Sequence, residues 1–118
     1  MAMKETRGAL RLRVMHGRRV AIGPGKADLL EGIEATGSIA AAGRAMRMSY
    51  KRAWQLVEEM NACYRLPVIE ANKGGSGGGG ARLTRTGRAV LARYRGIERA
   101  CAQAARADLA ALRRQLME

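Results

Sequence analysis

Phenylalanine is absent from these 118 residues, histidine occurs once and cysteine twice. Each scarcity closes a class of function. A lone histidine, His16, cannot supply a histidine-based metal or catalytic cluster within one chain. Cys63 and Cys101 form no C-x-x-C pair and are too few for a disulfide framework, so they read as reduced, partly buried thiols of a cytoplasmic protein. The polar and basic first residues are not followed by an apolar run, unlike a signal peptide, and no stretch has the length and apolarity of a membrane span. The alanine-rich C-terminal region has few large apolar side chains to set against its basic ones, which disfavours a membrane-surface helix. No nucleophile and base pair stands out and no cofactor is expected, so the chain does not read as an enzyme.

Acid is missing too, but only in places. The composition is 22 basic against 10 acidic residues, net +12, which points to a polyanionic partner. Between residues 35 and 57 there is no acid, only Arg44, Arg47, Lys51 and Arg52. Between residues 71 and 97 acid is again absent, while Lys73, Arg82, Arg85, Arg88, Arg93 and Arg95 accumulate. The acids gather elsewhere, as Asp28, Glu31 and Glu34 and as Glu58 and Glu59. Charge sorted by segment favours a nucleic-acid face over a uniformly basic surface.

What is present has the layout of a DNA-reading helix-turn-helix. Ser38 and Ser49 are placed as N-caps, each with a hydroxyl for the unpaired amides of a helix start, although neither has the Glu or Gln of a full capping box three residues on. The spacing predicts a helix from Ser38 to Met46, a turn near Arg47 and Met48, and a helix from Ser49 to about Tyr64. On that last helix Tyr50, Ala53, Trp54, Val57 and Met60 fall on one face and read as a buried stripe. Tyr50, on the first turn, could bury its ring and still present its hydroxyl to a phosphate. Lys51, Arg52 and Gln55 fall on the other face, as long donors suited to base edges in a major groove. Met46 and Met48 read as adaptable core packing.

Upstream, Leu10-Arg11-Leu12-Arg13-Val14 alternates apolar with basic, the period of a half-buried strand. A turn at His16-Gly17-Arg18 would fold it against Arg19-Val20-Ala21-Ile22. After Gly23-Pro24-Gly25, a helix is expected from Lys26 to Thr36 with Ala27, Leu29, Leu30 and Ile33 inward and Gly37 ending it. Downstream, Pro67 stops the third helix and Val68-Ile69-Glu70-Ala71 reads as a strand. The glycine run from residue 74 to 80 separates it from Ala81-Arg82-Leu83-Thr84, making a wing. No lysine follows the last glycine, so the run is not a Walker loop. Residues 85–117 are helix-forming throughout, about 50 Å if continuous. Their apolar rhythm of Val90, Tyr94, Ile97, Cys101 and Ala104 slips by one residue to Ala105, Leu109, Leu112 and Leu116, as a bent seam would. Arg99, Arg106, Arg113 and Arg114 read as its solvated face.

Several motifs together resemble the N-terminal winged-helix domain of the ModE-type molybdate-responsive transcriptional regulators. They are Ile22-Gly23-Pro24-Gly25-Lys26, Thr36-Gly37-Ser38-Ile39, Met48-Ser49-Tyr50-Lys51-Arg52-Ala53-Trp54, Glu59-Met60-Asn61 and the glycine-rich wing through Thr86-Gly87, within residues 8 to 95. The helix-turn-helix alone would also fit LysR-type regulators; the S-Y-K-x-A-W motif with this wing is what narrows it. The resemblance implies a DNA-binding homodimer paired through the long fourth helix and the N-terminal strands. Full-length members carry C-terminal molybdate-binding modules, and this sequence stops at Glu118, so it reads as a single-domain relative or an excised portion.

The expected fold is mainly α with small β: a winged helix-turn-helix with an N-terminal β-hairpin over residues 1–84, and a long C-terminal dimerisation helix over 85–118. The expected partner is double-stranded operator DNA, bound by a cytoplasmic homodimer with no membrane role, probing bases through Lys51, Arg52 and Gln55. Phosphate contacts are expected from Ser38, Arg44, Ser49, Tyr50, Lys73, Arg82 and Thr84. The dimer seam is expected to be Val90, Tyr94, Ile97, Leu109, Leu112 and Leu116. Two alternatives remain: an adaptor whose fourth helix docks a separate effector-binding protein, and a non-specific architectural DNA binder.

Overall fold

Small residues decide how the helices of this chain approach one another. The computed structural model describes residues 10–72 and 80–117. Its elements run β1 (Val14–His16), β2 (Arg19–Ile22), α1 (Pro24–Thr36), α2 (Ile39–Ala45), α3 (Tyr50–Cys63), β3 (Ile69–Ala71), β4 (Ala81–Leu83), α4 (Arg85–Ala104) and α5 (Arg106–Arg113). Where α1 meets α2, a Cβ on Gly32 would lie 2.9 Å from that of Ala42. Where α2 meets α3, a Cβ on Gly43 would lie 3.0 Å from that of Ala53. Both crossings therefore bring glycine close against alanine, most tightly at Gly32.

The helix starts follow the capping chemistry. The Ser38 hydroxyl accepts from the Ala41 amide and the Ser49 hydroxyl from the Arg52 amide, each at 3.0 Å. Helix α1 opens at Pro24, two residues before the expected Lys26, because proline's fixed φ and missing N–H suit a first helical position. It ends at Gly37, whose φ of 72° lets its amide return to the Ile33 carbonyl at 2.7 Å.

The structure departs from the sequence pattern at the first strand and at Tyr50. The first strand begins at Val14, not Leu10. Leu10 and Leu12 are half-buried without a ladder, so their alternation reflects tertiary packing; the Leu12 carbonyl accepts the Tyr94 hydroxyl at 2.7 Å instead. On α3, Ala53, Val57 and Met60 are buried as expected and Leu56 joins them, but Tyr50 is 61% exposed. Standing at the first position of the helix, Tyr50 overhangs the core and rests edge-on against half-buried Trp54, with ring centroids 6.1 Å apart. The C-terminal helix is interrupted at Ala105, where the apolar rhythm slips.

The wing is a second antiparallel pair, with Ile69 opposite Leu83 and Ala71 opposite Ala81. Lys73 and the glycine tip at residues 74–79 lie outside the described residues. The Ala81 amide donates to the Gly37 carbonyl at 2.9 Å, fastening the wing to the end of α1. At the start of α4, the Val68 carbonyl oxygen occupies the space a Gly87 Cβ would need, so only glycine fits. Leu91 and Tyr94 of α4 enter the core shared by Ile22, Leu30, Ile33, Val57, Met60 and Val68. The chain measures 56 × 30 × 24 Å.

Candidate nucleic-acid interface

Helix α3 offers its first turns to solvent because its opposite face is committed to the core through Ala53, Leu56 and Val57. Lys51 and Gln55 are exposed and have no side-chain partner among the described residues. Arg52 is also exposed but leans along the helix to Glu59, 3.8 Å away. Glu59 in turn lies 3.4 Å from the Lys26 ammonium, which donates to the Val20 carbonyl at 2.6 Å. Arg52 thus borders a cleft that Arg11, Arg13, Lys26 and Glu59 also line, running from the start of α3 to the N-terminal segment. Arg11 and Arg13 were legible only as strand residues, because no local pattern connects them to α3.

The capping serines keep their O–H for a further acceptor, since the cap bond uses only a lone pair. Ser49 is exposed, Ser38 is half-buried, and Arg44 is exposed near the end of α2. Thr84 differs. Its hydroxyl accepts from the Gly87 amide at 2.9 Å and donates to the Pro67 carbonyl at 2.6 Å, so this side chain caps α4 and joins the wing base. Arg82 is exposed on the wing and paired with Glu70 across the strands, at 2.9 and 3.0 Å.

In the sequence Asn61 is legible only as part of the Glu59-Met60-Asn61 motif, without a structural role. Asn61, near the end of α3, accepts from the Val68 and Ile69 amides at 2.8 and 3.2 Å and donates to the Ile69 carbonyl at 3.2 Å. A single amide side chain therefore fixes the first wing strand to α3. A short polar residue inside a helix was the available signal, since asparagine is a poor helix former that prefers to bond backbone.

The expected seam divides. Tyr94 is 1% exposed and belongs to the chain's own core. Burial, with Glu98 adding, pushes its hydroxyl up to about 12, so it stays a neutral donor to Leu12. Val90 and Leu109 are half-buried, while Ile97, Leu112 and Leu116 are 43%, 56% and 62% exposed. Val14, Leu66, Val90 and Ile97 line an open apolar groove along α4, and α5 has no buried residue at all.

Arg95 ties α4 to α1. It grips Glu31 through two nitrogens at 2.6 and 3.2 Å, and reaches Asp28 at 2.7 Å and Glu98 at 2.8 Å. Burial works against the guanidinium charge, but these carboxylates outweigh it and hold its pKa above the usual arginine value. Among the described residues no group of side chains could hold a metal ion, and no helix is long and apolar enough to cross a membrane.

No family model matches the chain. Individual proteins do. The molybdenum-pterin-binding protein MopB of Rhodobacter capsulatus is 46% identical over 77 residues, 65% of this chain and 28% of MopB. The molybdenum transport protein ModE of Azotobacter vinelandii is 43% identical over 70 residues, 59% of this chain and 26% of the relative. The DNA-binding transcriptional dual regulator ModE of Escherichia coli K12 is 39% identical over 71 residues, 60% of this chain and 27% of the relative. Over that span the chain is ModE-like. It covers less than a third of the length of these curated relatives, so the ModE likeness concerns one portion of them.

Proposed function

We propose that this chain is a homodimeric, sequence-specific DNA-binding regulator of transcription that reads operator DNA with α3 and clasps the flanking backbone with its wing. The observation that carries the reading is the start of α3: a serine-capped helix whose exposed Lys51 and Gln55 stand in a segment without a single acid. Lys51, Arg52 and Gln55 reach base edges, while Ser38, Arg44, Ser49, Tyr50, Lys73 and Arg82 meet phosphates. Arg82 can do so without leaving Glu70, because a guanidinium has more donors than one carboxylate oxygen uses. Nothing in this arrangement calls for bond-making chemistry.

Pairing is supported by the exposed Ile97, Leu112 and Leu116 and by the apolar groove beside α4, which a second copy would cover. Glutamate at both Ile97 and Leu112 should give monomers in sedimentation; a variant that still sediments as a dimer would move the interface elsewhere. Kinship with proteins named for molybdenum transport and molybdenum-pterin binding supports molybdenum-related genes as targets. Selection from random duplexes tests the whole reading. A consensus that recurs as two half-sites is the expected result, and binding without a consensus would point to an architectural role.

A further inference from the structure

Arg47 stands in the turn between α2 and α3 with φ of 59°, and among the described residues it is the only non-glycine in the left-handed region. The turn imposes that conformation. The Met46 and Met48 amides both donate to the Gly43 carbonyl, at 3.1 and 3.0 Å, and the Arg47 amide donates to the Arg44 carbonyl at 3.0 Å. A chain reversing this tightly needs one left-handed residue, and glycine would take the position without the clash between Cβ and backbone that arginine must bear. The same chain does place glycine at left-handed positions elsewhere, at Gly17 and Gly37.

The side chain does nothing visible for the fold in return. Arg47 is exposed, its guanidinium has no hydrogen-bond or ion-pair partner among the described residues, and it sits in the acid-free segment from residue 35 to 57. It is also two residues ahead of Ser49, the cap of α3, and three beyond Arg44. A helix that enters a major groove by its first turns brings the preceding turn against the phosphates on the groove's edge.

We infer that Arg47 is a phosphate anchor, kept in a strained backbone position because its guanidinium grips the DNA backbone beside the α3 entry point. The inference rests on the DNA-binding reading above and adds a residue to it. It predicts that stability and affinity move in opposite directions at one position, which neither a structural nor a neutral role would give.

The experiment compares Arg47→Gly, Arg47→Asn and Arg47→Lys with the wild-type chain, by thermal melting and by salt-titrated binding to the duplex recovered from selection and to an unrelated duplex. R47G should melt higher, by about 4 °C. R47G and R47N should each bind both duplexes about tenfold more weakly per site, and flatten the log–log salt dependence by about 0.9 for each guanidinium lost. R47K, which keeps the charge, should stay within about threefold of wild type. Asparagine tolerates the left-handed conformation without loosening the chain as glycine does. If R47G alone loses affinity, turn flexibility is the cause and the inference is overturned. Wild-type affinity in both R47G and R47N overturns it as well. Failure of the wild-type chain to bind duplex would instead sink the DNA-binding reading itself.

Discussion

The junction of α1 with α4 and the surface made by α2, its turn and the start of α3 use the same cationic side chains in opposite ways. At the junction, the Arg95 guanidinium is 12% exposed and bonded to Asp28, Glu31 and Glu98. On the surface, Arg44, Arg47 and Lys51 are exposed with no carboxylate partner among the described residues, and Arg52 reaches one only at 3.8 Å. The wing lies between these extremes, with Arg82 exposed yet paired. Net charge alone thus says little about where a polyanion would bind. A cation committed to carboxylates has its field cancelled locally and holds helices together, whereas an uncommitted one leaves a positive potential for DNA to neutralise.

The contrast breaks most visibly at Arg95. Arg95→Ala leaves Asp28, Glu31 and Glu98 crowded with no counter-charge, and urea unfolding should show a loss of about 2–3 kcal/mol. The folded variant should bind duplex as wild type does. A stability loss within about 0.5 kcal/mol would mean that the cluster is only a surface pairing.

Gln55 should behave in the reverse sense. Gln55→Ala should leave urea stability within about 0.5 kcal/mol of wild type. It should cost about 1–3 kcal/mol in binding the selected duplex, with little change on an unrelated one. Equal losses on both duplexes would remove Gln55 from base recognition.

The smallest effect is expected at the wing, where Glu70→Ala releases Arg82 from its partner. Because the pair is exposed, stability should change by about 1 kcal/mol or less. Duplex affinity should rise by about two- to threefold as an acid leaves the surface. A fall in affinity would show that Glu70 holds Arg82 in its binding geometry.

What the sequence made legible was local. Ser38 and Ser49 announced their helices because a cap is decided within three residues, and the glycine run between two short apolar segments announced the wing. The burial of Tyr94 was not legible in this way: its 4-3-4-3 spacing fits an outward seam as well as an inward one, and the Leu12 carbonyl that receives it lies 82 residues away. Arg95 looked like one more basic residue because its partners on α1 are 64 and 67 residues distant. Thr84 was read as a phosphate ligand from its place at the wing base, whereas its hydroxyl serves the Gly87 amide and the Pro67 carbonyl. Tyr50 matched the apolar stripe by periodicity, yet periodicity does not say where the core ends.

The central claim is that the uncommitted cations of α2 and α3, and not the committed ones, meet DNA. It is tested most directly by measuring duplex affinity across a salt series for the wild-type chain, Arg95→Ala and the double variant Arg44→Ala/Lys51→Ala. Wild type and R95A should share one steep log–log slope, and the double variant should be flatter by about 0.9 per subunit for the phosphate contact of Arg44, with a further loss on the selected duplex for the base contact of Lys51. A double variant with the wild-type slope, or an R95A slope flattened as much, would contradict the account.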